Sequence, residues 1–170
     1  YQTAIVFNGQ IYVSSDYGAN WTAKDINRFW KYVSMSSTGQ YQTTAVYGDK
    51  IYISSDYGLT WTAKDSDRQW SSVSLSSTGQ YQTAVEYNGN IYTSNNYGNT
   101  WNIINLQAYW ESISLSSSGQ YQTAVSRTLS PVTGYIYVSK DYGITWTQKA
   151  AGNWYGVAVS SLGDYQTAVI

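Results

Sequence analysis

The chain has 170 residues, 19 of them Tyr and 8 Trp, with no Cys, no His and a formal net charge of -1. That composition excludes disulfides, thiolate nucleophiles, zinc ribbons and iron–sulfur sites, and it removes imidazole-based catalysis and the usual zinc and haem ligand sets. A near-neutral balance with scattered Lys argues against a nucleic-acid partner, and no apolar run approaches the roughly 20 residues that span a bilayer.

The chain begins at Tyr1 without a Met or a signal-like apolar stretch, so it reads as processed, excised or partial. The composition leans weakly towards β-rich surface proteins. The length fits one domain, 1–170.

Self-similarity sets the architecture. Tyr-Gln-Thr begins at Tyr1, Tyr41, Tyr81, Tyr121 and Tyr165, which gives repeats starting near 1, 41, 81 and 121 and a partial fifth at 165–170. Residues 1–40 and 41–80 agree at about 25 of 40 positions. Identity that high marks a recent duplication or a designed repeat.

The third unit shows what one repeat contains. Trp70 to Ser76 alternates, with Val73 and Leu75 on one face and serines on the other, which predicts a strand. Residues 77–80 form a turn, and Tyr81 to Tyr87 a second strand. Asn88-Gly89 is a hairpin signal. Ile91 to Ser94 is a third strand, Asn96 to Gly98 a turn, and Trp101 to Ile104 a fourth strand. Four short antiparallel strands at every step predict the blade of an all-β propeller of about four blades.

The turn after the third strand carries the most specific motif. It reads Ser14-Ser-Asp16-Tyr-Gly18-Ala-Asn20-Trp21, then Ser54-Ser-Asp56-Tyr-Gly58-Leu-Thr60-Trp61. The later copies are Ser94-Asn-Asn96-Tyr-Gly98-Asn-Thr100-Trp101 and Ser139-Lys-Asp141-Tyr-Gly143-Ile-Thr145-Trp146. The carboxylate can accept turn N–H groups, Gly tolerates positive φ, and Trp covers the hairpin and packs towards the next blade. This pattern resembles the Asp-box, or bacterial neuraminidase repeat, and the likeness covers essentially the whole chain. Turn chemistry explains every fixed position. Calcium is the weaker alternative, because each loop offers only one carboxylate. No cofactor or metal is expected. Asn20-Trp-Thr22 matches a glycosylation sequon inside a structural turn.

The resemblance implies that the 1–2 and 3–4 loops share one face of the propeller, and the 2–3 and 4–1 loops the other. The first face barely varies between copies. The second varies at nearly every position: its 4–1 loops are read at 26–29, 66–69, 106–109 and 151–153. Its 2–3 loops are read at 7–10, 47–50, 87–90 and, with an insertion, 127–134. Variable loops on a rigid scaffold are where binding is built, although drift alone produces the same pattern. Candidates there are Arg28, Phe29, Trp30, Arg68, Trp70, Tyr109, Trp110, Arg127, Trp154 and Tyr155. For the four Trp, packing between blades is the competing reading. Tyr17, Tyr57, Tyr97 and Tyr142 form a second ring at the motif tips, packed on neighbouring blades or lining an adhesive rim.

The resemblance also extends to sialidases, which would use three arginines for the substrate carboxylate, a Tyr–Glu nucleophile pair and an acidic general acid. Here the Arg-Ile-Pro signature of that family is missing. The only glutamates, Glu86 and Glu111, have no spacing that compels a facing pair. Related repeats occur in sortilin-type receptors and photosystem II assembly factors, so the motif implies a fold, not a reaction. The leading expectation is a non-catalytic binding or assembly module. Neutral hydrogen-bonding side chains and many aromatic rings suit glycans as partners. The alternatives are a fragment of a sialidase-like hydrolase and an engineered symmetric scaffold without ligand.

The chain also carries strands 2–4 of one unit, three full units, and strands 1 and 2 of another. Three closures are open at this stage: two chains in an eight-bladed ring, a four-bladed ring with a spare strand, or a piece of a longer propeller. All three predict strong self-association or a missing remainder.

Overall fold

A computed structural model describes residues 1–170, and every regular element in it is a β-strand. The strands are β1 (Gln2–Ile5), β2 (Phe7–Ser14), β3 (Thr22–Met35), β4 (Gln42–Ser54), β5 (Thr62–Leu75), β6 (Gln82–Glu86) and β7 (Gly89–Ser94). They continue with β8 (Asn102–Ala108), β9 (Trp110–Leu115), β10 (Gln122–Ser126), β11 (Tyr135–Ser139), β12 (Thr147–Ala151), β13 (Gly156–Val159) and β14 (Gln166–Val169).

All pairings are antiparallel. The long strands β3 and β5 each serve two repeat units. Residues 22–29 of β3 pair with β2, whereas Trp30–Met35 pair with β4. In β5 the change falls between Gln69 and Trp70. The eight strands β1 to β8 therefore form a continuous ribbon that is cut into three units by these changes of partner. Strands β9 to β12 form the fourth unit, and β13 pairs only with β14. The result is a β-propeller arc, as the strand pattern predicts.

The segments read as 4–1 loops at 26–29 and 66–69, and as 2–3 loops at 7–10 and 47–50, are strand and not loop. Hairpin tips and connections keep pairing, with Phe7 opposite Phe29, Gly9 opposite Arg28, Tyr47 opposite Gln69 and Asp49 opposite Arg68. Register shifts between these pairs mark bulges, which absorb the length differences without breaking the ladder.

The core lies between units. One cluster joins Ile11 and Val13 of the first unit to Trp30, Val46 and Tyr52 of the second. A second joins Ala45 and Ile51 to Trp70, Val73, Leu75, Ala84 and Tyr92. A third joins Val85 and Ile91 to Trp110, Ile113, Leu115, Ala124 and Tyr137. Trp30, Trp70 and Trp110 are at most 1% exposed. A ring with no accessible face gives a sugar nothing to stack on, so these three leave the set of surface binding residues. Trp154, at the same place in the last hairpin, is half-buried.

The Ser face of the inner strand packs against the neighbouring unit and is partly buried. Ser34 Oγ accepts from Leu75 N–H at 3.2 Å, Ser74 from Leu115 at 3.3 Å, and Ser114 from Val159 at 3.1 Å. Small hydroxyl side chains let the inner strands approach closely and satisfy the next strand's backbone.

Candidate binding site on the variable face

The turn motif builds the opposite end of each unit. Ser54 Oγ donates to Asp56 Oδ1 at 2.8 Å and accepts from Gly58 N–H at 2.9 Å. Asp56 accepts from Thr60 N–H at 2.9 Å and from Thr60 Oγ1 at 2.6 Å. Trp61 Nε1 donates to Gly58 O at 3.1 Å. The same bonds recur around Asp16, Gly18 and Trp21 and around Asp141, Gly143 and Trp146. Asn96, with Gly98 and Trp101, keeps the acceptor but reverses one bond. Its Nδ2 donates to Thr100 Oγ1 at 2.9 Å.

Hydrogen bonds from the Asn20 backbone and side chain, then from Ser14, hold the Asp16 carboxyl down to about 2. For Asp56 and Asp141 burial opposes ionisation, but the bonds from Thr60 and Thr145 outweigh it and lower both. Tyr57 N–H donates to Gln40 O at 3.1 Å, and Tyr97 and Tyr142 repeat that bond to Gln80 and Gln120, so this turn and the 1–2 turn share one end.

One detail departs from the sequence reading. The Trp packs towards the preceding unit, since Trp61, Trp101 and Trp146 border the clusters formed with the unit before. Tyr57, Tyr97 and Tyr142 adopt positive φ and stack on Tyr1, Tyr41 and Tyr81 of the preceding unit, each at 4.4 Å. They pack on a neighbouring blade.

At the variable end, each arginine is already engaged. Arg28 Nη1 donates to Asp49 Oδ2 at 3.0 Å, and its guanidinium lies 4.4 Å from the Tyr52 ring centroid. Arg68 lies 4.5 Å from the Tyr92 ring, 3.5 Å from Asp65 Oδ2 and 4.0 Å from Glu86 Oε2. Tyr52 donates to Asp49 and Tyr92 to Glu86, both at 3.1 Å. Burial, then the charge of Asp49 or Glu86, pushes both phenols up to about 12. Arg127 stacks 5.0 Å over Tyr87, donates to its hydroxyl, and sits 2.9 Å from Glu111 Oε1.

Two clefts open between these groups and meet at Tyr87. One, of about 350 Å³, is lined by Lys31, Tyr47, Tyr87, Glu111 and Arg127. The other, of about 360 Å³, is lined by Gly48, Asp67, Arg68, Gln69, Glu86, Tyr87 and Asn88. Each falls in the size range of a ligand pocket. Lys31 and Glu111 occupy equivalent positions in the second and fourth units. Between them the third unit has Ser71, fully buried with its hydroxyl donating to Val85 O.

Of the predicted residues, Arg68 and Arg127 border the clefts. Tyr109 lies 5.7 Å from Tyr87 and extends the aromatic surface. Phe29 and Tyr155 are about half exposed, with Phe29 against Phe7 at 5.3 Å. Sequence reasoning left Lys31, Tyr47 and Tyr87 off the candidate set. An available signal was the aromatic recurring at the hairpin start, as Phe7, Tyr47 and Tyr87.

The family model of the BNR-Asp box repeat matches residues 11–26 and 136–149. Comparison with curated proteins finds none that matches. Among solved structures, YCF48 bound to D1 peptide is 20% identical with a TM-score of 0.60, over 83% of this chain and 51% of that one. A GH74 enzyme of Niastella koreensis is 17% identical with a TM-score of 0.70, over 91% and 31%. A GH74 xyloglucanase from Xanthomonas campestris is 12% identical with a TM-score of 0.71, over 96% and 32%. The chain thus spans about half of the first and a third of the other two. At these identities the likeness is one of fold.

Proposed function

Because the chain is a BNR-Asp box repeat protein with a β-propeller fold, we propose that it is a non-catalytic binding module whose variable face takes a glycan. The observation that carries this reading is the pair of clefts meeting at Tyr87. Tyr87, Tyr47 and Tyr109 supply ring surface, and Gln69, Asn88 and the charged rim supply hydrogen bonds. That combination suits a polyhydroxylated ligand with apolar ring faces.

The groups a hydrolase would use have partners within the fold. Arg28, Arg68 and Arg127 each pair with a carboxylate and a Tyr ring. Glu86 accepts from Tyr92, and Glu111 faces Arg127. A sialidase-type grip on a substrate carboxylate needs free guanidinium groups, so this pairing favours binding over turnover.

A glycan array together with a fluorogenic sialoside assay tests the reading. Neutral polysaccharides, xyloglucan included, are the first probes, since one structural relative is a xyloglucanase. Binding without turnover, weakened by Tyr87→Ala, is the expected result. Turnover that disappears in Arg68→Ala would establish the hydrolase alternative instead.

A further inference from the structure

We propose that the sugar taken by the variable face is acidic: the cleft beside Lys31 seats one uronate residue, its carboxylate on the Lys31 ammonium and its ring against Tyr47 and Tyr87. This names the ligand class of the glycan-binding reading and rests on that reading.

The other cations at the variable end are already paired. Arg28 meets Asp49, Lys50 meets Asp67 at 2.6 Å, Arg68 meets Asp65 and Glu86, and Arg127 meets Glu111. Lys31 meets no carboxylate. It lies in the second unit with the first and third on either side, and neither neighbour brings it an acid. Instead its ammonium sits 5.5 Å from the centre of the Tyr47 ring and 5.8 Å from that of Tyr32. Ring faces hold a cation in place without neutralising its charge. A partly desolvated charge attracts an incoming anion more strongly than one in bulk water.

The repeat shows this charge to be a local departure. Lys31, Ser71 and Glu111 each follow the buried Trp of their unit. Two residues further on the three copies nearly coincide, as Val33-Ser-Met-Ser-Ser-Thr, Val73-Ser-Leu-Ser-Ser-Thr and Ile113-Ser-Leu-Ser-Ser-Ser. Packing positions are held, and charge changes where the strand meets the cleft.

The charge balance sets how much acid the site accepts. In the first cleft Lys31 and Arg127 are positive and Glu111 is negative, which leaves one positive charge in excess. A single carboxylate balances it, whereas a densely sulfated chain would bring further anions against Glu111. The adjoining cleft has no positive surplus: Asp67 and Glu86 face Arg68, and Lys50 is taken by Asp67. The residue beyond Tyr87 is therefore a neutral sugar that meets Gln69 and Asn88 with hydroxyls. A uronate combines an apolar ring face with one carboxylate at the ring edge. That matches the rings and the ammonium that line one cleft of about 350 Å³.

An array printed with glucuronate- and galacturonate-containing oligosaccharides, each beside its carboxyl-reduced counterpart, tests this, with affinities then measured by titration calorimetry. Reduction turns each uronate into the neutral sugar and changes nothing else. The acidic member should bind roughly 10-fold more tightly, as one charge-assisted hydrogen bond allows. That margin should shrink as salt rises. Lys31→Gln should abolish the margin and leave the affinity for the reduced member unchanged, and Lys31→Arg should keep most of it. Lys140→Gln, in the turn at the opposite end, removes the same net charge and should change neither affinity. Equal binding of the matched sugars by the parent, or a margin that survives Lys31→Gln, overturns the proposal and leaves the glycan-binding reading standing. Silence of every sugar, acidic and reduced, overturns both. A Glu-containing tetrapeptide run beside them then shows whether the face takes an acidic peptide instead.

Discussion

The guanidinium of Arg68 lies 4.5 Å from the centre of the Tyr92 ring, and the Tyr92 hydroxyl donates at 3.1 Å to Glu86, 4.0 Å from the same arginine. One unit earlier, Arg28, Tyr52 and Asp49 make the same closed triangle. The carboxylates sit at different positions in their repeats, Asp49 in the hairpin and Glu86 before it, yet they reach equivalent hydroxyls. Tyr92→Phe removes the donor and leaves Glu86 with one partner fewer. It should cost about 1 kcal/mol in urea unfolding, the usual value of a single hydrogen bond.

Trp70→Ala should cost about 3–5 kcal/mol, because it opens a cavity at a fully buried site between units. Phe29→Ala and Tyr155→Ala, at half-exposed positions, should change stability by less than about 1 kcal/mol. Urea denaturation of the three variants separates core aromatic residues from surface ones.

The step of the repeat, the four strands per unit and the turn motif were all legible in the sequence, because each depends on local pattern: alternation, Asn-Gly, and Asp-x-Gly with a following Trp. The variable face was less so. Residues 26–29 and 66–69 look like loop because they carry polar, turn-prone residues, but cross-strand pairing holds them extended. Ser72 and Ser74 look solvent-facing by alternation and are covered by the next unit, a tertiary effect that no single-unit pattern encodes. Tyr47 and Tyr87 open two of the loops read on the variable face, but the cleft they line needs Lys31 from β3, Glu111 from β9 and Arg127 after β10, which no local pattern brings together.

The turn carboxylates predict a pH dependence. Asp16, Asp56 and Asp141 are held below their ordinary value of 3.8 in the folded chain. A group with a depressed folded value stabilises the fold above its unfolded value, and that contribution is lost as pH falls through the folded one. The Tm should therefore hold down to about pH 4 and then fall towards pH 2. Asp56→Asn, which copies the natural Asn96 turn, should keep most of the Tm at neutral pH and flatten the acid limb. Calorimetry across that pH range checks both parts.

Tyr87→Ala should weaken glycan binding roughly 10-fold, since a ring contact is worth about 1–1.5 kcal/mol. The Tm should move little, because Tyr87 is only half-buried. Titration calorimetry with a ligand from the array, beside a thermal melt, reads the two effects apart.

The most direct measurement is amide chemical-shift mapping of the labelled chain with an oligosaccharide from that array. Shifts gathered at Lys31, Tyr47, Tyr87, Glu111 and Arg127 are the predicted result. Shifts gathered instead at the turn tips around Tyr57, Tyr97 and Tyr142, with the clefts silent, would contradict the assignment of the variable face as the binding surface.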